Sequence, residues 1–265
     1  IINNKVESLG VGNVQQPNGL VGDGSSLFVG YPMQMYYGYV TDGVFLDQAD
    51  IDAWFAHTDQ SSLGANHANT KPGDIRYKDI SGPDGVPDGK VDATYDRVYL
   101  GSQIPKYTFG LSFNAAYKGF DLNLFLQGVA GVKGMLSNYS GWAFWSEGNV
   151  QKWQMEEAFD PKNPERYPGY PRIQNLGNSV GINNQTSDFW VRNASYLRIK
   201  NVQLGYTLPK SVLNGTFISN VRFYVSAENP LTFHGYPTGW DPEINSSGQF
   251  YPVLSTYTFG VNLKF

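Results

Sequence analysis

The stretch from Asp79 to Asp96 contains the residues whose types and spacing most directly indicate chemistry. Five aspartates occur in it, separated by glycines, prolines and short aliphatic residues. Loops that bind Ca²⁺ place oxygen ligands at alternate positions, take one from a backbone carbonyl and use a glycine for the sharp turn. This pattern predicts a structural cation site with ligands drawn from Asp79, Asp84, Asp88, the Lys90 carbonyl, Asp92 and Asp96. Many flexible carboxylates suit Ca²⁺ better than the smaller Mg²⁺.

The same stretch departs from the calcium-loop pattern at two points. Val86 stands where such a loop has a ligand, and the bidentate glutamate that closes the loop is missing. A solvated turn rich in aspartate and glycine therefore remains an alternative. The neighbouring aliphatic residues offer no catalytic partner, so a bound ion would have a structural role.

Four aromatic residues in long connections are candidates for contact with a substrate or a partner protein. They are Tyr139, Trp142 and Trp145 in the connection 135–192, and Trp240 in the connection 234–252. Irregular connections of this length are unusual in a compact domain unless they are functional. Aromatic faces can stack on sugar rings or contact another protein. Packing of these rings against one another is an equally open alternative.

Recognisable catalytic motifs are missing from the sequence. Its three histidines lie far apart and match no metal-ligand spacing, and neither a nucleophile elbow nor a phosphate-binding glycine loop occurs. Glu156 and Glu157 are adjacent, so on a helix they diverge and cannot flank one glycosidic bond. The net charge of −4 provides no basic surface for nucleic acid. We therefore expect no enzyme, no organic cofactor and no nucleic-acid partner.

The last ten residues predict the kind of element that carries these loops. Apolar side chains occupy every second position, at Tyr257, Phe259, Val261, Leu263 and Phe265, with small, polar or charged residues between them. A period of two places the apolar set on one face of a strand. About ten alternating residues is the length with which a tilted strand crosses an outer membrane. The pattern predicts an antiparallel transmembrane β-barrel.

Other segments repeat this alternation. The ranges 106–118 and 120–127 predict a hairpin through a turn at Lys118 and Gly119, and 198–206 and 219–229 predict two further strands. Arg198 and Lys200 alternate in register with Val202, so strict alternation places them on the same face of the strand as Val202. This predicts a strand with charges at one end of that face. Short helices are expected at 47–55 and 149–159. A soluble β-sandwich strand also alternates, with its apolar face turned inward. Strand length, aromatic residues at strand ends and short turns alternating with long loops favour the barrel.

The composition is compatible with a membrane barrel. Hydrophobic residues make up 41% of the chain, cysteine is absent, and no apolar run reaches the roughly 18 residues that a membrane helix needs. The sequence starts Ile1-Ile2 without a secretory leader, which an outer-membrane protein requires. We therefore expect residues 1–265 to be the C-terminal part of a longer precursor, with signal peptide and plug outside this sequence.

The order of several motifs resembles the SusC/RagA-like TonB-dependent outer-membrane receptors of Bacteroidota-type bacteria. The matching segments are 37–45 (YGYVTDGVF), 72–79 (PGDIRYKD), 96–101 (DRVYLG), 105–110 (PKYTFG), 187–209, 227–232 (AENPLT), 241–243 (DPE) and the terminal strand. They are spread over nearly the whole chain. The acidic loop 79–96 is longer than the compact version in that family.

The resemblance implies a fold and a function. This chain would supply roughly eight antiparallel strands of a barrel of about 22 strands in the outer membrane of a Gram-negative bacterium. The barrel would import oligosaccharides or peptides beneath a SusD-like lipoprotein lid, powered by TonB through the missing N-terminal part. Outer-membrane lipid would surround it, and the apolar residues of the last strand would serve as the insertion signal. The alternative is a secreted, soluble β-sandwich that binds glycans.

Overall fold

A computed structural model describes residues 3–7, 28–175, 181–244 and 251–265. The strands are β1 (Met35–Tyr39), β2 (Thr41–Val44), β3 (Ile75–Tyr77), β4 (Arg97–Ser102), β5 (Tyr107–Tyr117), β6 (Phe120–Ala130), β7 (Lys133–Met135), β8 (Val191–Asn193), β9 (Tyr196–Thr207), β10 (Asn220–His234) and β11 (Thr256–Lys264). The helices are α1 (Gln48–Phe55), α2 (Lys152–Glu156) and α3 (Lys210–Leu213). None of the helices in these ranges is long and apolar enough to cross a membrane.

The five long strands form one antiparallel sheet in the order β11-β10-β9-β6-β5. Each predicted strand is confirmed, and β10 continues beyond its predicted end at residue 229 to His234. The expected number of roughly eight membrane strands is not reached among the described residues. Their other strands pair in twos, as β1 with β4, β2 with β3 and β7 with β8, outside the long sheet.

One face of the long sheet is apolar and uncovered. Its exposed residues are Tyr107, Phe109, Leu111, Phe113, Tyr117, Phe120, Leu204, Phe223, Val225, Tyr257, Phe259, Val261 and Leu263. Tyr117 is 71% exposed and Phe259 is 70% exposed. A β-sandwich would bury such a face against a second sheet. Among the described residues no second long sheet exists, so the sandwich alternative does not describe this part of the chain.

The two ends of the sheet differ in the length of their connections. At one end β5 and β6 are joined by Lys118 and Gly119, both with positive φ, as a tight hairpin turn requires. The β9–β10 connection, which contains α3, lies at the same end. At the opposite end β6 is joined to β9, and β10 to β11, by the long connections that carry the candidate aromatic residues. The predicted asymmetry between short turns and long loops is confirmed.

A bulge changes the predicted face of Arg198. Asn201 pairs with Glu228, but the next pair is Ile199 with Leu231, so Lys200 on β9 and two residues on β10 are skipped. Before Lys200, the residues of β9 that face the apolar side are therefore the odd-numbered ones, and after it they are the even-numbered ones. Arg198 lies on the polar face, paired with Gln127 of β6, instead of sharing the face of Val202. The prediction that followed strict alternation was wrong for this residue because a bulge inserts an unpaired residue into a strand.

The hydrophobic core lies in the loop region and not on the long sheet. Phe45, Tyr77, Tyr170 and Trp190 are completely buried there, together with Ile51 of α1. Helix α1 lies in the predicted segment 47–55, and its N-cap residue Asp47 accepts a hydrogen bond from Asp50 N through its side chain. The loops at this end of the sheet therefore form a packed layer.

Ion pairs fix α1 within this loop layer. Asp50 pairs with Arg166 at 2.7 Å and with Arg76 at 3.0 Å, and Arg76 also pairs with Asp42. Burial alone would raise the pKa of Asp50, but hydrogen bonding to Arg166 and the charges of both arginines outweigh it and lower that pKa. Asp50 therefore remains ionised at neutral pH and joins segments that are distant in sequence.

Candidate functional site

An aromatic pocket lies in the loop layer, where the two long connections meet. The pocket has a volume of about 320 Å³. Its lining residues are Tyr139, Trp142, Trp145, Gly148, Asn149, Val150, Gln151 and Trp240. All four aromatic residues singled out in the sequence therefore line one pocket, although Trp240 lies almost one hundred residues from the other three.

Gln151 joins the two connections. Its Oε1 accepts hydrogen bonds from the indole N–H of Trp240 at 2.6 Å and from that of Trp153 at 2.8 Å. Its Nε2 donates to the backbone carbonyl of Tyr139. One amide thus fixes two tryptophans and the loop backbone in a single arrangement.

Sequence reasoning missed Gln151 because the helix was expected to start after Asn149. The structure starts α2 at Lys152, with Gln151 as the N-cap residue and a reciprocal contact to Gln154. A glutamine just before the helix and a second one three residues later, inside its first turn, resemble a capping box, which was the available signal.

The pocket combines aromatic surface with neutral polar groups. Trp142 and Trp145 meet edge to face with ring centroids 5.0 Å apart. Both rings, and that of Trp240, are half-buried, so they pack against one another and still reach the pocket surface. The lining contains no charged side chain. Such a surface suits a ligand with apolar ring faces and uncharged hydroxyl groups.

The acidic loop is held together by its own carboxylates. Asp96 is fully buried and accepts backbone N–H groups of Ile80 at 2.7 Å, Ser81 at 3.2 Å and Asp92 at 2.8 Å. Asp79 accepts the Gly89 N–H at 2.6 Å through Oδ2. Burial raises the pKa of Asp96; these backbone hydrogen bonds oppose that rise, and the charge of Asp79 adds to it.

The fit of these residues to a cation is partial. Asp84 and Asp88 are exposed, and within the described residues no group of three or more acidic or histidine side chains is arranged to hold a metal. The Oδ1 atom of Asp79 is buried without a hydrogen-bond partner. A cation beside Asp79 and Asp96 would satisfy that oxygen. The ligand set from Asp79 to Asp96, with Asp92 and the Lys90 carbonyl, stays a prediction.

The residues predicted as an insertion signal lie at the open edge of the sheet. Tyr257, Phe259, Val261 and Leu263 project from the apolar face of β11, and Phe265 follows it. The ring of Phe265 stacks on Phe217 at 5.7 Å. This position is compatible with a membrane-insertion signal, and that role stays a prediction.

Similarity to characterised proteins identifies the chain. No protein-family model matches it. TonB-dependent receptor P3 of Formosa agariphila is 32% identical over 211 residues, which cover 74% of this chain and 19% of that receptor. TonB-dependent receptor SusC of Bacteroides thetaiotaomicron is 28% identical over 203 residues, covering 74% of this chain and 18% of SusC. The structure of the RagAB peptide importer in the open-open state matches with a TM-score of 0.60 and 25% identity, covering 93% of this chain and 24% of that one.

The chain belongs to the SusC/RagA-like TonB-dependent receptors. It spans about a fifth of the length of the curated receptors named above. The mostly β fold agrees with that of the receptor structures. The aromatic pocket and the acidic loop are therefore features of a receptor segment.

Calcium binding by the receptor can be tested directly. We predict that Ca²⁺ raises the melting temperature of the purified receptor, because the ion would neutralise the repulsion between Asp79 and Asp96. Asp79→Asn should abolish this rise. Asp84→Asn distinguishes two ligand sets. If the ion is bound by the full set predicted from the sequence, which includes Asp84, this substitution also abolishes the rise in melting temperature. If the ion is bound beside Asp79 and Asp96 alone, the rise is unchanged. Equal melting curves with Ca²⁺ and with chelator would contradict both.

Proposed function

We propose that this chain forms the C-terminal part of the barrel of an outer-membrane importer in a Gram-negative bacterium. The remaining strands, the plug and the contact with TonB would come from the rest of the receptor. Strands from the rest of the receptor would pair with the open edges of β5 and β11 and so close a barrel of about 22 strands. The protein would transport its substrate and catalyse no reaction.

The exposed apolar face of the long sheet carries this proposal. Lipid is the solvent that makes such a face favourable, because each side chain on it would otherwise contact water. The 11 residues of β5 extend about 34 Å along the strand, or about 24 Å along the membrane normal when the strand is tilted by about 45°. That height is close to the roughly 25 Å of the apolar band of an outer-membrane barrel.

The short turns would lie in the periplasm and the loop layer outside the cell. This orientation follows from the asymmetry of outer-membrane barrels, whose long loops are extracellular. The aromatic pocket would then face arriving substrate. A SusD-like lipoprotein would cover this side, as the family relationship implies.

Oligosaccharide is the substrate class that the pocket supports better. Its lining offers indole and phenol rings with amide groups and lacks the charges that would pair with peptide side chains or termini. The RagAB structures similar to this chain are those of a peptide importer. Peptides are therefore the alternative substrate class that the binding test must include.

A pair of substitutions on β10 tests the membrane assignment. Val225 lies on the apolar face near the middle of the strand, and Ser226 lies on the opposite face. We predict that Val225→Arg destabilises the receptor in lipid vesicles by about 2–4 kcal/mol, because an arginine would face the hydrocarbon. Ser226→Arg should lower the stability of the receptor far less, because this arginine would lie on the face away from lipid. Urea unfolding measures both, and equal effects of the two substitutions would contradict a lipid-facing apolar side.

A second pair tests the substrate class. Detergent-solubilised receptor is applied to an array of neutral oligosaccharides and, separately, to a peptide library. We predict binding to oligosaccharides, weakened about tenfold by Trp240→Ala, as the loss of about 1.4 kcal/mol of stacking would cause. The control is Tyr167→Ala, an exposed aromatic residue of the other long connection, 135–192, that lies outside the pocket. Peptide binding that depends on Trp240, without oligosaccharide binding, would overturn the substrate assignment.

A further inference from the structure

A completely buried arginine connects the long sheet to the loop that carries Trp240. The Arg198 side chain is 0% exposed. Its Nη2 donates to both carboxylate oxygens of Asp241, at 2.6 and 2.5 Å, and its Nη1 donates to Glu243 at 2.8 Å. Its Nε donates to Thr232 Oγ1 at 2.9 Å. A buried guanidinium is tolerated only when it is paired and hydrogen-bonded in this way.

The bulge at Lys200 is what brings Arg198 to this position. With regular pairing, Arg198 would project from the apolar face together with Val202. The extra residue turns it to the polar face, beneath the loop. On β10 the opposing bulge contains Asn229, whose φ of +49° is a conformation that asparagine adopts more readily than most residues. The side chain of Asn229 donates to the Leu254 carbonyl at 3.2 Å, so the returning end of the same connection is fixed nearby.

Asp241 links Arg198 to the aromatic pocket. It directly follows Trp240, whose indole N–H donates to Gln151 on the other connection. The Asp241 carboxylate also accepts the Glu243 N–H at 2.9 Å, which closes a turn after Trp240. The wall of the pocket formed by Trp240 is thus held from one side by Gln151 and from the other by Arg198 through Asp241.

We propose that Arg198 is the positioning residue of the aromatic pocket. The bulge in β9 and β10 places its guanidinium where its planar fork holds the Asp241–Glu243 turn and thereby orients Trp240 toward the ligand. Lysine could provide the charge but not three separate nitrogen donors in a fixed plane for Asp241, Glu243 and Thr232. This assignment rests on the proposed function only in the identity of the ligand, because the contacts it concerns exist within the chain.

The test compares two arginine-to-lysine substitutions in the whole receptor labelled with 5-fluorotryptophan. Arg222 is the matched control, since it makes a two-point contact with Asp121 on the same face of the same sheet, at 2.9 and 2.5 Å. Trp240→Phe assigns the fluorine resonance of Trp240. We expect Arg198→Lys to shift or broaden that resonance and Arg222→Lys to leave it in place. The resonance of buried Trp190 should not move in either variant.

The same samples separate this proposal from the proposed function. Heat-modifiable migration on a gel and recovery in the outer-membrane fraction report whether the receptor assembles as a barrel. If Arg198→Lys does not assemble, Asp241→Glu keeps both charges, displaces the carboxylate by one methylene group and should produce the same change at Trp240. An unchanged Trp240 resonance in an assembled Arg198→Lys or Asp241→Glu receptor overturns the positioning role. Failure of the wild-type receptor to reach the outer membrane would instead overturn the proposed function.

Discussion

Hydrogen bonding of the backbone is the constraint on which the arrangement of this chain depends. A strand that crosses hydrocarbon must pair its N–H and C=O groups with neighbouring strands, because lipid offers no partner. The five long strands pair antiparallel along their length, interrupted at the bulge around Lys200, and their apolar side chains remain on an uncovered face. Within the described ranges, β5 and β11 are the outer strands of this sheet. In the proposed barrel, strands from the rest of the receptor pair with both.

The same constraint explains why the hydrophobic core lies elsewhere. In the proposed barrel the apolar face would contact lipid and would need no internal core on that side, which agrees with the position of the buried aromatic residues in the loops. Ion pairs of Asp50 and the bonds of Gln151 give these loops one arrangement. The loop layer can therefore present a preformed pocket, which reduces the ordering cost of binding a ligand. Arg198 ties this layer to the sheet beneath it.

Local patterns predicted much of the fold. Period-two alternation predicted all five long strands, the Lys118–Gly119 turn predicted the hairpin, and a short helix was expected at 47–55, where α1 lies, because each signal depends on adjacent residues. The position of Arg198 was predicted wrongly because a bulge alters parity without an obvious composition signal. The four pocket aromatics were identified by type, whereas Gln151 was missed because its role arises from a contact across 89 residues of sequence.

Lipid exposure along the last strand tests the central claim most directly. These 265 residues contain no cysteine, so single cysteines at positions 257 to 263 of β11 can each carry a fluorescent label in the whole receptor, once any cysteines in the rest of it are replaced, and the receptor is reconstituted with brominated lipid. The account predicts strong quenching at Tyr257, Phe259, Val261 and Leu263 and weak quenching at Thr258, Gly260 and Asn262. Uniformly weak quenching along the strand, or quenching without this alternation, would contradict a transmembrane strand with its apolar face in lipid.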